Sequence, residues 1–93
     1  MTGRYLIGEL SVRLEQLQAT AGQAAGDVAD LRRQVEASPV TWLASETIQA
    51  LALADRLCWD SLSRGDTSAF ARQAAISADL HLFGVCARLL DED

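Results

Sequence analysis

The residues best suited to chemistry in this chain are Asp55, Arg72, His81 and the thiols Cys58 and Cys86. A carboxylate and a guanidinium set into apolar helix faces can make a polar ligand site, or an ion pair that fixes the register of two helices. Asp55 shares a face with Leu51, Cys58 and Leu62, while Arg72 and Asp79 lie between two apolar stripes. Antiparallel pairing of the two helices would set Asp55 within one turn of Arg72. The sequence therefore predicts a buried Asp55–Arg72 pair, for which a structural role suffices. His81, the single histidine, falls near a polar edge. A catalytic base needs an oriented nucleophile beside it, and no spacing here supplies one.

Other chemistries lack their residues. No Glu-x-x-His pair exists for a di-iron site, and one His with two separated Cys makes no zinc set. The chain has no Lys, so no Gly-Lys-Ser/Thr phosphate loop, and no GxGxxG follows a strand. Arg64-Gly65-Asp66 spells an adhesion tripeptide, but a tight turn between helices explains its Gly and Asp. Cys58 and Cys86 fall about 20 Å apart along an antiparallel hairpin, too far to bridge, so free thiols in a reducing compartment are expected. No cofactor, metal or catalytic set is predicted.

The elements that must position these residues are helical. With 93 residues, 49% apolar and 23% charged, the chain fits one small domain spanning residues 1–93, and a single Pro with six Gly leaves too little punctuation for a many-stranded β fold. A net charge of −5 disfavours nucleic acid and anionic membrane surfaces as partners. Glu9 interrupts the first ten residues where a signal peptide runs apolar, and no stretch is long enough to span a bilayer. Together with all eight basic residues being Arg, this favours a soluble protein of a bacterial cytoplasm.

Three helices are expected, over residues 2–36, 39–64 and 67–90. In the first, Ile7, Leu10, Leu14, Leu17, Ala21, Ala24, Val28, Leu31 and Val35 recur at alternating steps of 3 and 4, a heptad seam within an arc of about 120°. Gly22 and Gly26 interrupt its good helix formers. They mark either a close helix crossing or a break into two helices. Ser38-Pro39 suits a helix start, and the second helix has apolar residues over about 240° of its wheel. Gly65 and Asp66 read as a helix stop and an N-cap, which turns the third helix back on the second. That third helix shows one stripe through Ala71, Ala75, Ala78, Leu82, Val85 and Leu89, and an adjoining one through Ile76, Leu80, Phe83, Ala87 and Leu90.

A continuous first helix would be about 52 Å long and overhang a hairpin of about 38 Å. Apolar surface left open on that scale predicts self-association, so the expected architecture is all-α: a long N-terminal heptad helix plus an antiparallel hairpin, assembled as a dimeric bundle. Its interface would use Leu10, Leu14, Leu17, Leu31 and Val35, with Trp42 and Trp59 as edge anchors. The function expected is a non-enzymatic protein-interaction or adaptor module acting as a homo-oligomer. The alternatives are a regulator that sequesters a helical partner such as a transcription factor, or a small enzyme. For the last, only the helix layout is similar to that of the all-α chorismate mutases.

Overall fold

The computed structural model describes residues 2–39 and 43–90. Among these residues the chain is helical throughout: α1 spans Thr2–Thr20, α2 Ala25–Ala37, α3 Leu43–Ser63 and α4 Thr67–Cys86, with a 3-10 turn at Gly22–Ala24. The long first helix is thus two helices. Gly22 takes φ +57°, a conformation that an L side chain resists, and the chain reverses there. The two halves lie antiparallel, so that Ser11 Oγ donates to Glu36 Oε2 at 2.8 Å, and Arg32 bonds both Ser11 and Glu15 across the pair.

Pairings elsewhere give the same sense. Arg56 of α3 meets Asp27 of α2 at 3.2 Å, Arg13 of α1 meets Asp79 of α4 at 2.9 Å, and Ser61 of α3 meets Gln73 of α4. Each helix therefore runs antiparallel to the next, and α4 returns beside α1, as in an up-down-up-down bundle. The bundle is flat, 42 × 29 × 16 Å, with α1 and α3 in contact across the short diagonal. No helix overhangs.

The heptad seam does form a core, but inside one chain. Leu10, Leu14 and Leu17 from α1 and Val28, Leu31 and Val35 from α2 are buried against Leu43, Ala50, Ala54 and Leu57 of α3 and Leu80 and Phe83 of α4. A hairpin whose two arms face a common core needs the same 3–4 spacing on each arm as a continuous helix does. On α4 the buried stripe is Ala69, Gln73, Leu80 and Phe83, while Ala71, Ala75, Ala78 and Leu82 of the expected heptad stripe are exposed.

The α3–α4 turn closes as the sequence indicates. Gly65, at φ +72°, donates to the Leu62 carbonyl and Asp66 donates to the Ser61 carbonyl, a Schellman closure, and the Asp66 side chain accepts from the Ala69 amide at 3.1 Å. Two boundaries differ from expectation. Pro39 lies outside any helix, and residues 40–42, where the second helix was expected to begin, fall outside the described residues. At the other end α4 stops at Cys86, because Leu89 and Leu90 both donate back to the Gly84 carbonyl and Arg88 takes φ +61°.

Candidate functional site

The broad apolar arc of α3 determines where the surface is unusual. One side of the helix, carrying Leu43, Ala50, Ala54 and Leu57, enters the core. The other side carries Ile48, Leu51, Asp55, Cys58, Trp59 and Leu62, and all of these but Ile48 line a trough whose walls come from α3 and α4 alone. Large apolar groups stay in water there: Trp59 is 68% exposed, Ile48 58% and Leu62 47%. Phe70, Ala74, Ser77 and His81 of α4 form the facing wall, and the two helices enclose an open, mostly apolar trough of about 710 Å³. The other exposed large apolar side chains, Tyr5, Val12 and Leu82, lie on α1 and α4 away from this trough. Three such groups along one helix face, two of them lining a trough, make the kind of apolar surface that binding regions use.

Two polar groups of α3, Cys58 and Asp55, sit within this trough opposite Ser77 and His81 of α4. Cys58 is half-buried, and burial, reinforced by the nearby Asp55 carboxylate, pushes its thiol pKa up. A thiol so placed is a poor nucleophile at neutral pH. Asp55 forms no ion pair or side-chain hydrogen bond among the described residues.

The predicted Asp55–Arg72 pair does not form. Both side chains are exposed, Asp55 in the α3–α4 trough and Arg72 at the end of the bundle beside Thr20 and Asp66. The register explains the error: Gln73 lies level with Ser61, six residues from Asp55, so Arg72 is nearly two turns away. The buried polar connection is instead uncharged. Ser61 Oγ donates to Gln73 Oε1 at 2.6 Å, and Gln73 Nε2 donates to the Thr20 carbonyl at 2.9 Å, tying α3, α4 and the end of α1 together. Asp79 pairs with Arg13, whose guanidinium lies 4.7 Å above the Phe83 ring and also meets Glu9 at 3.0 Å.

The interface expected at Leu10, Leu14, Leu17, Leu31 and Val35 is likewise corrected. All five are buried in the chain's own core, so none is free for a second copy in this fold. Trp42 lies outside the described residues. Trp59 is exposed at the groove edge. Gln73 and Ser61 were missed as core residues, although Gln73 stands on the spacing Ala69, Gln73, Ile76, Leu80, Phe83, which was visible in the sequence. Arg13 was passed over because its partners come from its own helix and from α4, and only the fold brings the latter near.

The remaining hollows differ in character. The α1–α4 groove beside Tyr5, Arg13 and Cys86 holds about 350 Å³, and its charges are paired with one another. The polar hollow at the Gly22 end holds about 710 Å³ between Asp27, Asp60, Arg64 and Arg72. Both thiols are free, and among the described residues no three His, Cys, Asp or Glu side chains converge as a metal set. No helix of the described residues is long and apolar enough to cross a membrane. No protein-family model, curated protein or solved structure matches the chain.

Proposed function

We propose that this protein is a non-enzymatic helical interaction module that docks another protein on the outer face of α3 and α4. The observation carrying this reading is the row of exposed Ile48, Trp59 and Leu62 with half-buried Leu51 along one side of α3, beside the trough that α4 completes. Trp is favoured among residues that dominate binding energy, and here it stands at the rim of a preformed trough. Two free thiols suit a reducing setting, in keeping with a cytoplasmic protein.

Self-association, expected from the heptad seam, loses its main support because that seam is internal. The test is copurification from the cells that make the protein, with wild-type and Leu62→Asp baits. Leu62 is half exposed, so the variant should keep its fold, as circular dichroism would verify. A protein retained by wild type and lost from Leu62→Asp supports the reading. Equal retention by both baits, or none by either, contradicts it.

A further inference from the structure

We infer that the α3–α4 groove receives an amphipathic helix of another protein, one carrying an Arg or Lys at its midpoint opposite Asp55 and apolar anchors on either side. This rests on the docking face proposed above and adds the chemistry of its occupant.

The stripe Ile48, Leu51, Asp55, Trp59, Leu62, whose exposed Ile48 end lies just beyond the residues that line the trough, has steps of 3, 4, 4 and 3, and spans about 21 Å, some four turns of helix. Asp55 is its midpoint, seven residues from either end. A groove between two antiparallel helices is the surface into which a third helix packs, ridge into groove. A helix laid there removes water from Asp55. That carboxylate makes no ion pair among the described residues; no Arg lines the trough, and His81, its one basic lining side chain, makes no ion pair with Asp55. A dehydrated carboxylate left unpaired is strongly disfavoured, so the occupant must bring the missing charge. Arg meets a carboxylate through two parallel N–H donors, Lys as a point charge. The chain's net charge of −5 draws in a basic segment in the same sense.

The charge argues against a second copy. Antiparallel pairing of the stripe about a two-fold axis sets Ile48 against Leu62 and brings the two Asp55 carboxylates together at the centre. Like charges meeting in a buried interface are unfavourable. A small apolar molecule, for its part, would leave much of a stripe four turns long in water.

The test is selection from a phage-displayed library of amphipathic 18-residue helices, with flanking seam positions fixed as Leu or Ala and the central seam position randomised. Wild type, Asp55→Lys and Leu62→Asp serve as targets, each verified as folded by circular dichroism. Wild type should enrich Arg and Lys at the centre, and Asp55→Lys should enrich Asp and Glu. A peptide selected on wild type should bind Asp55→Lys about tenfold or more weakly. Leu62→Asp should bind neither set. Binders that need Leu62 but show no central preference overturn the basic-helix inference while leaving the docking face standing. Binders indifferent to Leu62, or no enrichment at all, overturn both. Wild type sedimenting as a dimer while Leu62→Asp is a monomer would identify a second copy as the occupant and overturn the inference too.

Discussion

The Ser61 hydroxyl donates to the Gln73 side-chain carbonyl at 2.6 Å in the interior of the bundle, where both residues are almost wholly buried. Because the Gln73 amide also donates to the Thr20 carbonyl, one side chain holds three helices in register at the end where α1 turns into α2. Buried polar groups specify a register only when satisfied, and this set is connected from end to end.

Ser61→Ala should therefore cost about 1–3 kcal/mol, the penalty of leaving the Gln73 oxygen unpaired in the core. Gln73→Leu should cost a similar amount by stranding Ser61 and the Thr20 carbonyl. The double variant should lose less than the sum of the two. Urea denaturation of all four proteins tests this, and strictly additive losses would mean that the pair is not coupled.

The α1–α2 turn makes opposite predictions for two neighbouring glycines. Gly22 has φ +57°, so Gly22→Ala should destabilise by about 1 kcal/mol or slightly more. Gly26 lies within α2, with open space where a Cβ would stand, so Gly26→Ala should stabilise by up to about 1 kcal/mol. Thermal unfolding of the two variants decides the matter. A continuous helix through this region would make both substitutions stabilising.

The internal seam predicts how stability depends on concentration. Leu14 is fully buried within one chain, and Leu14→Ala should cost about 2–5 kcal/mol. If the seam belongs to a folded monomer, the unfolding midpoints of wild type and variant should not move with protein concentration. A midpoint that rises with concentration in wild type, and less so in the variant, would return these leucines to an interface between chains.

Much of the architecture was legible in sequence. The helices, the turn at Gly65-Asp66 and the apolar identity of Leu10, Leu14, Leu17, Leu31 and Val35 all follow from spacing and capping. The reversal at Gly22 was one of two readings, because the steps from Leu17 through Ala21 and Ala24 to Val28 stay in phase whether the chain continues or folds back. Asp55 and Arg72 show a second limit. Counting residues from a turn fixes height along a hairpin only to within a turn or so, and says little about direction around each helix. The exposure of Trp59 was readable from the wheel. The groove was not, because its existence depends on which flank of α3 the other helices cover.

Cys58 reports on the groove floor. Burial and the Asp55 carboxylate both raise its thiol pKa, so less thiolate is present at any pH below that value and alkylation is slow. In a Cys86→Ser background, where Cys58 is the only thiol, Asp55→Asn should shift the rate–pH curve to lower pH and speed the reaction at pH 8. An unchanged curve would mean that the carboxylate does not act on the thiol.

If another protein docks on the outer face of α3 and α4, site-specific photo-cross-linking in the producing cells will capture it there. Benzoylphenylalanine at position 59, in the groove, is compared with the same group at position 33, on the exposed side of α2. A discrete adduct to a different polypeptide from position 59, absent from position 33, is the predicted result. No adduct from position 59, or the same adducts from both positions, would contradict the account.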